Sequence, residues 1–188
     1  MSQVPSDPVD AAIRIAARLE EDGVPYAIGG ALAFGLWAVP RATVDVDVDV
    51  FLDGDAVEAV FGALEALGVS LDREEARQRN DREGMFVGRW GLYRIDVFTP
   101  SIDFAWEAQS TRVRRELGGQ SIWILSAEAI AVFKLLFFRA KDIADLERLV
   151  AVYGQLDRRY VRDHMVDMMG EADDRVREWD RITSESPA

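Results

Sequence analysis

The chain has 188 residues, 49% of them hydrophobic, enough for one domain with a real core. Its 22 basic and 34 acidic side chains leave a net charge of −12, which disfavours general nucleic-acid binding because that affinity comes from phosphate neutralisation. The lack of cysteine excludes disulfides, thiolate metal sites and cysteine nucleophiles and fits a cytoplasmic location; the single His164 excludes a multi-histidine centre; and neither a membrane-length apolar run nor a secretory leader is expected after the polar start MSQVPSDPVD.

Apolar positions at Val9, Ile13, Ala16, Ala17 and Leu19 predict a helix over 8–21, stopped by Gly23. Tyr26-Ala27-Ile28 reads as a buried strand ending at Gly29-Gly30, and 31–38 as a short apolar helix halted by Pro40. A glycine pair at such a turn lets a polyphosphate approach the backbone and the helix amides, or simply makes the turn tight. Over 44–50 valine alternates with aspartate, so Val44, Val46, Val48 and Val50 share one strand face and Asp45, Asp47 and Asp49 the other. Neighbouring carboxylates about 7 Å apart repel by about 2 kcal/mol at an effective dielectric of about 20, and aspartate is a poor strand former. Either a divalent cation offsets the repulsion or the strand is a solvated edge whose charges discourage pairing.

Asp55-x-x-Glu58 reads as a capping box opening a helix through Val57, Val60, Phe61, Leu64 and Leu67 to Gly68. The charged segment 71–83 has weak periodicity and a turn signal at Asn80-Asp81, and is expected to be irregular and mobile. Strands are predicted over 85–90 and 92–98 around Gly91, with Asp96 on the face opposite Tyr93, Ile95 and Val97. A helix or loop over 101–108 precedes a hairpin, 112–117 and 121–125, about Gly118-Gly119. Ser126 caps a helix expected over 127–140 that carries Lys134, one of two lysines among twenty arginines. In so apolar a helix Lys134 is either a point charge for a phosphate oxygen or a snorkelling side chain. If the helix continued, Lys134, Lys141, Asp142 and Asp145 would share a face; the two aspartates could equally pair with Arg139 and Arg148 at i+3. Helices over 157–169 and 171–182 and a frayed tail over 183–188 complete the chain. Arginine clusters at 73–82, 112–115 and 158–162 read as solvated faces. The expected fold is α/β (α+β), a small mixed sheet flanked by helices and followed by C-terminal helices, with one domain over 1–155 and a helical appendage over 156–188.

Gly29-Gly30 followed by Arg41-x-Thr43-x-Asp45-x-Asp47 resembles the signature of the DNA polymerase β-like nucleotidyltransferase superfamily. Within it, the pattern is most similar to AbiEii-type toxins of type IV toxin-antitoxin systems and their small relatives. The resemblance implies that Asp45 and Asp47 bind Mg²⁺ (or Mn²⁺) carrying a nucleoside triphosphate, and that Asp96 completes the metal site and deprotonates an acceptor hydroxyl. It implies nucleotide contacts at Gly29, Gly30, Arg41 and Thr43, and gives Asp49 no role. A second block, Ser126-Ala127-Glu128 with Lys134, Arg139, Lys141-Asp142 and Asp145, resembles the family's lysine-aspartate block, which implies that Lys134 contacts the triphosphate and that Asp142 or Asp145 positions the nucleotide. The acceptor implied is tRNA, a protein or a small cationic molecule such as an aminoglycoside, and a toxin would have a cognate antitoxin partner. The alternative is a nucleotide-binding regulator or antitoxin-like protein that keeps the fold without turnover. The superfamily often has Gly-Ser where this chain has Gly29-Gly30.

Overall fold

A computed structural model describes residues 4–52 and 54–185. They fall into two compact units: the chain up to Ala33 with Arg41–Leu125, and Phe34–Pro40 with the chain from Ser126 onward.

In the first unit, α1 (Pro8–Glu21) is capped by Asp7, whose carboxylate accepts the Asp10 N–H at 2.8 Å. After β1 (Tyr26–Ile28) comes α2 (Gly30–Trp37), which runs on into the second unit, and then β2 (Asp45–Val50), a 3-10 turn at Gly54–Ala56, α3 (Val57–Leu67) and α4 (Arg73–Glu83). The unit continues with β3 (Met85–Trp90), β4 (Tyr93–Phe98), α5 (Phe104–Thr111), β5 (Val113–Leu117) and β6 (Gln120–Ile124). Gly118 and Gly119, at φ 56° and 80°, make the tight β5–β6 hairpin.

The strands form one mixed sheet ordered β3-β4-β2-β1-β6-β5. β2 runs parallel to β4 and β1 parallel to β6, whereas β1–β2, β3–β4 and β5–β6 are antiparallel. The valine face of β2 is core: Val46, Val48 and Val50 are buried with Ile95 and Val97 of β4 and with Ile15 and Leu19 of α1. α1 packs on β1, β2, β6 and α3. β2 is therefore an interior strand, paired on both edges, and the reading of an edge strand fails.

The expectation of an irregular segment at 71–83 is also corrected. α4 buries only Ala76, so no apolar stripe announces it. Asp72 starts it, accepting the Glu74 and Glu75 N–H groups at 3.1 Å, and Arg73 and Arg77 pair with Glu58 and Glu65. The helix at 101–108 is α5, three residues later at each end. The Asp55 side chain, half of the expected capping box, lies outside the described residues, and Ala56 holds the cap position of α3.

In the second unit, α6 (Ala127–Phe137) starts at Ser126, whose hydroxyl accepts the Ala129 N–H at 3.1 Å. The helix expected over 127–140 stops early, because Phe138 adopts a left-handed conformation at φ 53°. α7 (Ala140–Val152), α8 (Arg158–Met169) and α9 (Asp174–Glu185) follow, and the expected boundary at residue 156 falls inside this unit. Trp179 of α9 is buried and donates through Nε1 to the Arg158 carbonyl at 3.0 Å. Residues 183–185 are helical, not frayed, and 186–188 lie outside the described residues. No helix among the described residues is long and apolar enough to cross a membrane.

Because α4 rests on its cap and ion pairs, Asp72→Ala should lower stability by about 1 kcal/mol in urea denaturation. Phe86→Ala, which empties a fully buried site in edge-to-face contact with Phe61, should cost about 3–5 kcal/mol.

Candidate active site

The acidic ladder of β2 lies on the sheet face opposite the valine core, and its neighbours are fixed by register. Parallel pairing sets Asp45 beside Arg94 and Asp47 beside Asp96 on β4. Antiparallel pairing sets Asp49 beside Ala27 on β1, and the Gly29 N–H donates to the Asp47 carbonyl at 2.9 Å. In-register residues of adjacent strands point to the same face. The sheet thus sets Asp45, Asp47, Asp49, Arg94 and Asp96 on one face, with Asp47 and Asp49 against the strand-to-helix turn.

The turn has to be glycine. Gly30, the first residue of α2, has φ 53°, and a Cβ there would overlap the Asp47 carboxylate. At Gly29 a Cβ would lie 2.7 Å from Asp49 Oδ2. Both glycines make room for the carboxylates of β2, and Asp47 rests beside the first residue of α2, where the helix amides favour negative charge. Thr43 braces the entry to β2: its hydroxyl oxygen accepts the Asp45 N–H at 3.0 Å. Arg41, Thr43 and Asp45 line an open cleft of ≈ 320 Å³. A larger cleft of ≈ 550 Å³, among Asn80, Glu83, Thr99 and Ser101, contains none of these carboxylates.

Two charges on this face depart from ordinary behaviour. Burial, reinforced by the charge of Asp47, pushes the Asp49 carboxyl up to about 8. The hydrogen bond to Asp96 holds the Arg94 guanidinium above its usual range against the opposing effect of burial, with Asp45 and Asp47 adding to the rise. Arg94 Nε donates to Asp96 Oδ1 at 2.7 Å. Asp96 is therefore an ion-paired carboxylate in the ligand-free protein, and its partner Arg94 is a residue that the sequence analysis did not single out. The signal was Arg-x-Asp on a strand, which puts both side chains on one face.

The donor chemistry fits a hard divalent cation: three carboxylates, from Asp45, Asp47 and Asp96, on one face, with the Arg94 guanidinium standing in as the positive charge among them. Among the described residues no three His, Cys, Asp or Glu side chains converge into a finished metal cage. Asp96 is turned toward Arg94, while Asp47 and Asp49 lie against the glycines.

The second block has a different geometry from the single helical face expected. On a continuous helix Asp145 would lie about 16 Å along the axis from Lys134. The break at Phe138 turns α7 back, so that Lys134 Nζ reaches Asp145 Oδ2 at 2.7 Å and Asp142 Oδ1 at 3.5 Å. Lys134, Asp142 and Asp145 are buried, at 7%, 1% and 2% exposure, so Lys134 does not snorkel. Its ammonium also lies 5.1 Å from the Phe34 ring centroid. The i+3 pairs exist too: Arg139 Nε donates to Asp142 at 2.6 Å and Arg148 Nη1 to Asp145 at 3.3 Å, from the solvent side. Burial raises the Asp142 carboxyl, but the Arg139 hydrogen bond and the Lys134 charge outweigh it and hold it below its usual range. Asp142 also accepts the Arg139 N–H at 3.3 Å, capping α7.

Two tests follow from these charges. Asp49 keeps its proton in the folded protein and loses it on unfolding, so its contribution to stability is complete below pH 3.8 and lost as pH rises to about 8. In chelator, Asp49→Asn should match wild type near about pH 4 in denaturant melts and gain a growing advantage up to about pH 9. Lys134→Met, which strands two buried carboxylates without their ammonium, should cost about 3–5 kcal/mol in the same assay.

Residues 9–183 match the family described as Nucleotidyltransferase of unknown function (DUF6036). A search of curated proteins gave no match. Among solved structures, ANT(2'')-Ia in complex with adenylyl-2''-tobramycin is similar with a TM-score of 0.54 at 19% identity, over 94% of this chain and 97% of that one. The lincomycin-bound lincosamide antibiotic adenylyltransferase LnuA gives 0.51 at 14% identity, over 80% and 99%. An antigenic nucleotidyltransferase-like protein from Paracoccidioides brasiliensis gives 0.50 at 17% identity, over 93% and 94%. At these identities the likeness is one of fold. With the family match spanning most of its length, the chain belongs to this nucleotidyltransferase family.

Proposed function

We propose that the protein transfers a nucleoside monophosphate from a nucleoside triphosphate to a hydroxyl of a small cationic molecule, and that the acidic sheet face is where it does so. The observation that carries this reading is the register of Asp47 with Asp96 beside the Gly29-Gly30 turn. Asp45, Asp47 and Asp96 would hold Mg²⁺ or Mn²⁺, which when bound offsets the triphosphate charge and steadies the attacking and leaving oxygens. Asp96 accepts the proton of the acceptor hydroxyl; that oxygen bonds to the α-phosphorus, the bond from phosphorus to the β-phosphate oxygen breaks, and pyrophosphate leaves. Arg41 and Thr43, in the cleft beside Asp45, orient the nucleotide, with Gly29 and Gly30 presenting backbone to its phosphates. Within the second unit, Asp142 and Asp145 hold the Lys134 ammonium and fix its direction.

The acceptor class rests on charge. A net charge of −12 steers cations toward the protein and repels polyanions. Two proteins of like fold are antibiotic-modifying or antibiotic-bound, one with an adenylylated tobramycin and one with lincomycin. The same charge disfavours a tRNA acceptor, and with it a toxin role opposed by a cognate antitoxin. The Arg94–Asp96 pair favours one second reading, a nucleotide-binding regulator without turnover, since it occupies the candidate base.

Wild type incubated with α-labelled nucleoside triphosphates, Mg²⁺ and a panel of aminoglycosides, lincosamides, tRNA and protein should label a cationic small molecule. Asp47→Asn should lower that labelling about a hundredfold or more. Triphosphate binding with no label on any acceptor would instead establish the regulator.

A further inference from the structure

We propose that Arg94 is a resident counter-cation of the acidic face, one that gives up Asp96 when a divalent ion binds and thereby sets the metal affinity of the site. The inference rests on the preceding reading of that face. Arg94 stands in register with Asp45 and one residue short of Ile95, so its side chain shares the face of Asp45, Asp47 and Asp96. It is bonded directly to Asp96 and feels the charges of the other two. It is therefore the one cation on the described part of β2 and β4 that touches the candidate ligand set.

The two partners differ in their freedom to move. The Asp96 side chain is 13% exposed and fixed by a short stem on an interior strand, whereas the Arg94 side chain is 41% exposed and reaches its partner through a long, flexible one. A guanidinium and a divalent ion bidding for the same carboxylate repel each other, and the exposed, flexible member is the one that can leave for solvent. Until it leaves, its hydrogen bond occupies Oδ1 of Asp96, the oxygen that a metal or an acceptor proton would use. In the metal-free protein Arg94 relieves the repulsion among the carboxylates; during binding it is a charge the metal must displace. Arg94 thus acts on the reaction as a positioning residue, through Asp96.

Mg²⁺ titrations by calorimetry of wild type, Arg94→Gln and Arg94→Lys test this without any turnover. Removing a unit charge about 6 Å from the ion under water-like screening should tighten Mg²⁺ binding by about tenfold in Arg94→Gln. Arg94→Lys, which keeps the charge and loses the planar fork, should stay within about threefold of wild type. In the wild type, the Arg94 Nε–H resonance, assigned by its loss in Arg94→Gln, should move from its hydrogen-bonded position to that of a solvated guanidinium as Mg²⁺ saturates. Equal affinities of wild type and Arg94→Gln with an unmoved Nε–H signal would overturn the inference and leave the metal site standing. Failure of both proteins to bind Mg²⁺ would overturn the inference together with the metal reading on which it rests.

Discussion

Three aspartates at alternate positions of a six-residue interior strand are the constraint that the first unit is built around. Because Val46, Val48 and Val50 must be buried, Asp45, Asp47 and Asp49 have no choice of face, and slipping the register by one residue would bury the carboxylates instead. The apolar half of the strand therefore fixes the acidic half. What remains is to make the acidic half tolerable, and each neighbour contributes. Gly29 and Gly30 give up side chains so that Asp49 and Asp47 can lie against the turn, Asp49 holds a proton, and Arg94 supplies a positive charge. Placement on an interior strand also removes the pairing edge that charged residues usually guard.

The second unit handles buried charge by another route. Lys134, Asp142 and Asp145 are all withdrawn from water, and such a cluster holds only if every member is paired. The left-handed Phe138 is what allows it, since only a reversal of the chain lets α7 carry both aspartates to α6. A non-glycine residue in that conformation is strained, and the strain is offset by three ion pairs and by Asp142 capping the helix it starts.

Much of this was legible in the sequence where a physical signal was strong. The period-two alternation at 44–50 located β2 and its two faces, the apolar period over 8–21 with its stop at Gly23 located α1, and Gly118-Gly119 set the hairpin. Two elements were illegible for stated reasons. α4 has no apolar periodicity because it is held by ion pairs to α3, a tertiary cause that local pattern does not carry. The break at Phe138 lacks the glycine or proline that usually marks one, and the apolar run 131–138 reads as uninterrupted helix. The candidate site was legible as residues and illegible as geometry: Asp96 was singled out, but the pairing of Asp47 with Asp96 and of Asp45 with Arg94, and the glycine-to-aspartate contacts, appear only once β1, β2 and β4 are in register.

The two charge clusters also separate by what their counter-ions can do. Lys134 is 7% exposed and bound by two carboxylates, so its charge is fixed in place and its main effect is rigidity. Arg94 is bound by one carboxylate and open to solvent on its other side. On the proposed reading the face takes up a multivalent cation and a polyanion in each turnover, and a permanent counter-ion there would compete with both. A labile arginine beside a nearly buried aspartate avoids that competition: it keeps the ligand-free sheet stable and yields when a stronger charge arrives.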